Sequence, residues 1–418
     1  MRILFICDLN SVHSQKWIGY FIEKKHDVFI YSTKPFQDNF LGAKVYSEGL
    51  PAKQADASAN DWLSKIYKFH FAWFAVPIAE RIFLLSKFLK IRTSVFRHRD
   101  AVAGILSSVN PDLIHCLRIP NEGFVGMLLQ SSAPLVVSTW GNDLTYWARK
   151  TLFRNLTEST LNKASCLFTD CERDVRLSRT YGYSKQKPFL VLPGSGGMLP
   201  YDLEIGKRSL ESRSDFFKET LQINARPIFL SLRGFGSQDI DNVPLLKACR
   251  LLMQRGVEFH LVIAGKKNGF RYYKLAHLIE KYELGNSVSL IEELPHSKAL
   301  EALQGADFSI SISRNDGTPN SMLEAMTFGC IPVMSDIESI KEWITDGVNG
   351  YLLDPRNPES IANAMQRAIA EKEKHDTMRK LNYGLIAEKA DYMKNMSRVE
   401  KVLIGFLKKN DQQNAGCR

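Results

Sequence analysis

The sequence lacks the long apolar segment of a membrane-spanning protein. Nowhere in its 418 residues do about eighteen apolar residues follow one another, the length that a helix needs to cross a bilayer. The apolar run at residues 1–7 is too short for a secretory signal peptide and leads directly into Asp8. The sequence therefore predicts a cytoplasmic protein.

Cysteine is scarce and scattered. No two cysteines have the Cys-x-x-Cys spacing that is typical of metal sites, and most lie within apolar runs. This pattern favours reduced thiols, and we expect neither disulfides nor a bound metal. The seven cysteines are Cys7, Cys116, Cys166, Cys171, Cys249, Cys330 and Cys417.

A glycine-rich dinucleotide motif is missing after the first predicted strand, residues 3–7. Residues 8–13 read Asp-Leu-Asn-Ser-Val-His where Gly-x-Gly-x-x-Gly would stand. Dinucleotide oxidoreductases use those glycines for a tight turn and for close approach of the pyrophosphate. The sequence therefore argues against that class of enzyme.

What is present is a regular alternation of strands and helices, which predicts parallel sheets. A chain of 418 residues suits two domains, and the Gly-rich segment 193–197 predicts a hinge between them. We predict an α/β fold with two doubly wound, Rossmann-like domains at 1–195 and 205–384, with helices at about 385–409 that return to the first domain. The predicted strands are residues 3–7, 28–31, 113–116, 135–138, 167–169 and 189–192, followed by 228–232, 259–264, 287–291, 308–312 and 331–334.

Two carboxylates, Asp316 and Glu324, lie on either side of a predicted helix start. Asp316 begins a Gly/Pro loop after the predicted strand 308–312, and Pro319 suits the first turn of a helix that carries Glu324. Free amides at a helix start bind phosphate, and the Glu324 side chain leans back toward that end. A phosphate site between two carboxylates suits a sugar nucleotide. The alternative is a capped helix with two surface acids.

Residues 311–333 resemble the donor-site signature of the family 4 retaining glycosyltransferases. In that signature a Glu is followed after seven residues by a second Glu, then by Ala-Met, Gly and Pro-Val. Asp316 replaces the first Glu, as in the family's Asp-Gly-Thr-Pro branch. The resemblance implies that Glu324 binds the nucleotide ribose and that Asp316 binds a donor-sugar hydroxyl. The loop that would face the sugar and the diphosphate consists of Gly317, Thr318, Pro319, Asn320 and Ser321.

Further segments extend the resemblance along the second domain. Arg233 closes a strand whose last residue, by resemblance, meets the donor diphosphate. Gly265 is similar to the family's next turn, and Leu294 lies in a segment that resembles the loop near the base. Together they imply the GT-B fold, in which two Rossmann-like domains face each other across a cleft and the acceptor lies against the first.

The chain departs from the family at two positions. Gln238 stands where a phosphate-binding Lys is usual, so Lys266 or Lys267 is expected to supply that charge, unless they are merely solvated. Leu117 replaces the second His of a His-x-His pattern, which leaves His115 as a catalytic candidate. A single His at a strand end is as readily structural.

Two other acidic segments have competing interpretations. Residues 139–143 resemble a family segment, which makes Asp143 a donor-site candidate; an N-cap before Leu144 is the alternative. Asp239 and Asp241 have the spacing of a metal-binding pair but precede a predicted helix, which they are expected to cap. We therefore expect catalysis without a metal or other cofactor, with Arg233 stabilising the charge on the leaving diphosphate.

Positive charge is concentrated at residues 65–99, which contain eight Lys and Arg against one acid, Glu80. Large aromatic residues lie between these cations. This pattern favours contact with an anionic membrane surface. Nucleic-acid binding is not expected, because no motif for it accompanies the charge. The alternative is a core helix with a solvated basic edge.

The resemblance therefore implies transfer of a sugar from a nucleotide-sugar to a glycan or lipid-linked acceptor, with retention at the anomeric carbon. Bacterial polysaccharide, lipopolysaccharide or glycolipid synthesis is the expected setting, on the inner face of the plasma membrane. A sugar-nucleotide epimerase of the same fold is one alternative. A non-catalytic protein that binds sugar nucleotides or membranes is another, because Asp316, Gln238 and Leu117 all differ from the family pattern.

Overall fold

The chain forms two compact units, each with its own parallel sheet. The computed structural model describes residues 1–47, 76–224, 227–237, 239–267 and 269–416. The first unit comprises Met1–Gly196 and Met393–Arg418, and the second comprises Gly197–Tyr392. The boundary falls inside the predicted Gly-rich linker.

A sheet of eight described strands forms the centre of the first unit. They are β1 (Arg2–Cys7), β2 (Asp27–Ser32), β3 (Asn39–Phe40), β4 (Ala43–Ser47), β5 (Leu113–Cys116), β6 (Leu135–Thr139), β7 (Cys166–Thr169) and β8 (Phe189–Val191). Their order is β3-β4-β2-β1-β5-β6-β7-β8, and only the β3–β4 pair is antiparallel. Strands β5, β6 and β7 are buried along their whole length, as expected for parallel strands covered on both faces.

The helices of the first unit follow its strands. Two short helical turns, Ile119–Gly123 and Asp143–Trp147, come directly after β5 and β6 and carry residues of the candidate sites. None of the described helices is long and apolar enough to cross a membrane. The described α-helices before the second unit are α1 (Val12–Glu23), α2 (Val76–Val109), α3 (Phe124–Leu128), α4 (Thr151–Lys163) and α5 (Glu172–Thr180).

The second unit has a sheet of six described strands, all parallel. They are β9 (Ile228–Ser231), β10 (His260–Ala264), β11 (Val288–Ile291), β12 (Phe308–Ser311), β13 (Ile331–Ser335) and β14 (Tyr351–Leu353), in the order β11-β10-β9-β12-β13-β14. Its helices are α6 (Pro200–Ser209), α7 (Phe216–Leu221), α8 (Val243–Gln254), α9 (Phe270–Lys281), α10 (His296–Gly305), α11 (Asn320–Thr327), α12 (Glu338–Lys341), α13 (Pro358–Ala370) and α14 (His375–Lys389).

The predicted α/β fold class is confirmed, and each predicted strand is present. The sequence did not indicate β3, β4 and β14, which lie toward the edges of their sheets. Because β10, β9 and β12 are neighbours and parallel, their carboxyl ends meet at one edge of the second sheet. That edge is where a doubly wound sheet binds its ligand.

The last helix, α15 (Tyr392–Gly416), returns the chain to the first unit. Its Glu400 accepts hydrogen bonds from Tyr20 (2.9 Å) and pairs with His26 (2.7 Å), both of the first unit. The return begins at Met393, later than the predicted residue 385, because α14 packs against α11 and α6 of the second unit.

Candidate functional site

The predicted donor loop joins β12 to α11. Thr318 and Pro319 are buried, whereas Asn320, Ser321 and Glu324 are half-buried and therefore reach solvent. Pro319 has an extended backbone (φ −69°, ψ 125°) and lies just before α11, not in its first turn as predicted. The hydroxyl of Thr318 accepts a hydrogen bond from the indole of Trp343 (3.1 Å), which fixes the loop on the domain core.

Arg233 and Asp316 meet at the edge of the second sheet and form an ion pair. The Asp316 carboxylate also accepts hydrogen bonds from the Gly317 amide (3.0 Å) and the Ser313 hydroxyl (3.4 Å). Burial raises the pKa of Asp316 above its ordinary value, although the Arg233 guanidinium opposes that shift. The two residues that were expected to contact diphosphate and sugar therefore contact each other.

Glu324 lies one turn into α11 and interacts with His296, the first residue of α10. The His296 Nε2 and Glu324 Oε1 atoms are 3.1 Å apart, and the two side chains are 67% and 20% exposed. The sequence did not indicate this contact, because the two residues are 28 positions apart. Glu324 is accessible from the same helix start that Asp316 precedes.

The glycine at position 265 allows two loops to approach closely. A Cβ atom there would lie 2.9 Å from the Phe235 amide nitrogen and 3.0 Å from the Gly234 Cα. On the other side, the loop after β9 bridges to the donor loop, with Ile240 paired to Ser313. Backbone contacts thus hold the loops after β9, β10 and β12 together around Arg233.

The remaining predicted residues of the second unit, Lys266, Lys267 and Leu294, lie at its surface or partly against its apolar core. Lys267 is exposed, and Lys266 pairs at 3.6 Å with Glu293, also exposed. Leu294 is partly buried and packs against the apolar core. Gln238 lies outside the described residues.

His115 is a core residue, which contradicts its predicted place in a catalytic site. It is fully buried among the rings of Phe5, Trp17 and Phe168, and its Nε2 lies 2.9 Å from the Ser138 hydroxyl. Burial lowers the pKa of His115 to about 3, so the ring stays neutral. A side chain closed off in this way cannot contact a donor.

Asp143 is also fully buried, and its role is different from the predicted donor contact. One carboxylate oxygen accepts from the Arg118 guanidinium (2.7 and 3.1 Å), and the other accepts from the amides of Ile119 and Trp140 (both 3.2 Å). It is not an N-cap with a side-chain bond to its own helix. Instead it fixes the loops after β5 and β6 to each other.

Several buried ionisable groups at the same edge of the first sheet were not predicted as site residues. Glu122 is buried, accepts from the Thr33 hydroxyl (3.0 Å), and has a pKa raised by burial to about 7. Asp170, Cys171 and Asp174 have ligand atoms within 4.8 Å of one another, as in a cation site. Arg173 already places positive charge there, 2.8 Å from Asp174. Their only sequence signal is that they closely follow strands β5 and β7.

Comparison with known proteins identifies matching families over most of the chain. Residues 214–384 match the family described as glycosyl transferases group 1, and residues 77–171 match glycosyl transferase 4-like proteins. The first segment contains the donor loop, Arg233 and Glu324, and the second contains Arg118 and Asp143.

The curated relatives match over a shorter segment. A GDP-mannose:cellobiosyl-diphosphopolyprenol alpha-mannosyltransferase of Xanthomonas campestris is 26% identical over 127 residues, 30% of this chain and 33% of the relative. A glycosyltransferase of Methanocaldococcus jannaschii is 29% identical over 125 residues, 31% of its length. The matched segment thus spans about a third of either relative.

Solved structures match the whole chain at low identity, and therefore show the fold alone. Sucrose-phosphate synthase of Thermosynechococcus elongatus aligns with a TM-score of 0.73 at 14% identity, covering 98% of this chain and all of that protein. Anabaena HepE in complex with UDP aligns with a TM-score of 0.68 at 14% identity, covering 97% of this chain and all of the other. The shared arrangement is the GT-B fold.

Proposed function

Because the chain belongs to the group 1, family 4-like glycosyltransferases, we propose that it transfers a sugar, with retention, from a nucleotide-sugar to a glycan or lipid-linked acceptor. The observation that carries the proposal is the convergence of Arg233, Asp316 and Glu324 at one edge of the second sheet. A cation between two carboxylates fits a ligand with a diphosphate flanked by hydroxyl groups.

We propose that the donor reorganises the Arg233–Asp316 ion pair. The diphosphate takes over the Arg233 guanidinium, which binds phosphate oxygens through several N–H groups at once. This frees the Asp316 carboxylate to accept a hydrogen bond from a sugar hydroxyl. Glu324 binds the ribose diol in place of its contact with His296.

The chemistry follows from the leaving group. When the bond between the anomeric carbon and the phosphate oxygen breaks, its electron pair stays on the nucleoside diphosphate. Arg233 and the amides at the start of α11 stabilise that charge, so the proposal needs no metal. The acceptor hydroxyl oxygen bonds to the anomeric carbon on the face that the diphosphate leaves. Its proton passes to the departing phosphate.

The acceptor class is proposed from two observations. The Xanthomonas relative is named for a sugar linked through diphosphate to a polyprenol, and helix α2 has an outward face suited to a membrane. Leu85, Leu89 and Phe96 on that face are 48%, 50% and 39% exposed. The opposite face, with Val95 and His98, is buried.

Exposed cations accompany these apolar side chains on α2: Lys90, Arg92 and Arg97. Apolar and basic side chains on one helix face suit anionic lipid headgroups. We therefore propose a cytoplasmic protein bound peripherally to the inner face of the plasma membrane, in bacterial polysaccharide or lipopolysaccharide synthesis. Residues 65–75 of the predicted basic segment lie outside the described residues.

The test is calorimetric titration with UDP-, GDP-, ADP-, CMP- and dTDP-sugars, using the wild type and Glu324→Ala. Binding of one nucleotide class to the wild type, weakened in Glu324→Ala, supports the donor site. No binding of any of these donors contradicts it. Binding without sugar transfer to any acceptor, or isomerisation of the sugar while still bound to nucleotide, would support the two alternative functions.

A further inference from the structure

The edge of the first sheet brings an arginine and a tryptophan together. Arg118 follows β5, Trp140 follows β6, and these strands are neighbours. The carboxyl ends of parallel strands meet at one edge, so both residues belong to loops at that edge. Nothing in the donor site of the second unit uses either of them.

One buried carboxylate positions both residues. Asp143 accepts from the Arg118 side chain through one oxygen and from the Trp140 amide through the other. The loop after Trp140 is fixed further, since the Gly141 amide donates to Asp170 (3.0 Å) and the Gly141 carbonyl accepts from Arg173 (3.4 Å). A site held in this way is organised before any ligand arrives.

The two side chains remain accessible to a ligand. The Arg118 side chain is 40% exposed. Its Nε and Nη2 atoms bind Asp143, while Nη1 has no acceptor among the described residues. The Trp140 ring is half-buried, with the ring of His13 6.0 Å from it and Gly194 against its edge.

The charges around Arg118 favour a neutral ligand over an anionic one. The Asp143 carboxylate already offsets the Arg118 charge, and Glu122 and Asp170 also lie close enough to act on that guanidinium. Free phosphate, which is an anion, therefore gains little binding energy from Arg118. A neutral sugar gains directional N–H donors for its hydroxyls from Arg118, and an aromatic face for its C–H groups from Trp140.

We propose that Arg118 and Trp140 form a subsite for a neutral sugar ring of the acceptor, with Asp143 as its positioning residue. This rests on the proposed function and adds to it the chemistry of acceptor recognition. Arg118 donates hydrogen bonds to ring hydroxyls, and the sugar lies against the Trp140 indole.

The test uses protein labelled with 5-fluorotryptophan, in which Trp140→Phe identifies the resonance of position 140. Octyl glycosides of glucose, galactose, mannose and N-acetylglucosamine, octyl cellobioside, and inorganic pyrophosphate are the probes. At least one glycoside should shift the Trp140 resonance on titration. Arg118→Gln should weaken that glycoside at least about tenfold, as expected for lost hydrogen bonds from a charged donor.

Arg118→Lys separates directional donors from charge, because it keeps the ion pair with Asp143 but loses the planar fork. It should bind the glycoside as weakly as Arg118→Gln. Arg154→Gln, which removes an exposed arginine paired with Glu158, is the matched control and should bind like the wild type.

Two results overturn the subsite. One is that no glycoside shifts the Trp140 resonance. The other is that pyrophosphate shifts this resonance in the wild type and in Arg118→Lys but not in Arg118→Gln. Nucleotide-sugar binding measured on the same variants reports on the donor site and on folding. Loss of glycoside binding with donor binding intact therefore separates this subsite from the proposed function as a whole.

Discussion

Arg233 and Asp316 form an ion pair at the carboxyl ends of neighbouring strands. Their side chains are 27% and 13% exposed, so both are largely withdrawn from water. A donor that binds both residues must replace this contact with its diphosphate and its sugar. The ion pair itself satisfies two charged groups that are largely withdrawn from water.

Substitution of the two donor-site carboxylates should strongly reduce transfer without unfolding the protein. We expect Asp316→Asn to lower the transfer rate on the order of a hundredfold, because it removes a charged contact to the reacting sugar. Glu324→Ala should weaken nucleotide binding at least about tenfold. Asp376→Ala, at a carboxylate 88% exposed, should change neither. Steady-state kinetics and thermal unfolding measured together check this; parallel losses of activity and stability would reject the donor-site assignment.

A methyl group at position 265 should displace the loop that follows Arg233. The added Cβ of Gly265→Ala would lie 2.9 Å from backbone of that loop, which cannot move as a side-chain end can. We expect a stability loss of about 1–3 kcal/mol and weaker nucleotide-sugar binding. Gly285→Ala is the control, since a Cβ there meets nothing within 4 Å. Denaturant unfolding and calorimetry measure both effects, and equal behaviour of the two variants would contradict the expected clash.

The pH dependence of stability should report His115 as a buried neutral residue. Its folded-state pKa of about 3 lies below the ordinary histidine value, so only the unfolded chain takes up a proton as the pH falls through about 6.5. His115 therefore contributes stability that is lost as the pH falls from about 6.5 toward 3, about 2 kcal/mol by pH 5.

Replacement by glutamine removes that titration. The drop in unfolding free energy between pH 7 and pH 5 should be smaller in His115→Gln than in the wild type, by about 2 kcal/mol. His277→Gln, at an exposed histidine, should retain the wild-type drop. Urea unfolding at the two pH values measures this difference. If the unfolding free energy of His115→Gln falls as much as that of the wild type, the ring is charged or accessible in the folded protein.

Removal of positive charge from α2 should reduce binding to anionic vesicles. Each cation near such a surface contributes about 1 kcal/mol, so Lys90→Gln, Arg92→Gln and Arg97→Gln combined should lower vesicle affinity by at least tenfold, or about 1.4 kcal/mol. The combined variant Lys281→Gln, Lys341→Gln and Lys372→Gln removes three exposed cations from the second unit as a control. Flotation with phosphatidylglycerol vesicles measures both. If the α2 variant floats with the vesicles as well as the wild type does, the proposed contact between α2 and the membrane is wrong.

Strands and the donor loop were accessible to sequence reasoning because their signals are local. Buried parallel strands are continuous apolar runs, as in residues 3–7, and the loop that follows β12 has Gly and Pro just before a helix starts. Strand β3 has only two residues, too few to produce a pattern.

The roles of single polar residues required the tertiary structure. His115, Asp143 and Arg233 all lie near the carboxyl ends of predicted strands, yet the first two are fully buried, whereas Arg233 reaches solvent. Burial depends on which elements cover a strand end, and no local pattern encodes that. The Arg118–Asp143 and His296–Glu324 contacts join residues 25 and 28 positions apart and were not predicted.

The sequence by itself determined the α/β class, the segment at which the two units join and the loop between β12 and α11, since each depends on residues that are neighbours along the chain. The tertiary structure alone decided that Asp316 pairs with Arg233, that His115 is a neutral core residue, and that Asp143 binds both the Arg118 side chain and the Trp140 amide. The physical reason is that desolvation and ion pairing depend on distances in space, which parallel sheets set by bringing the ends of remote strands together.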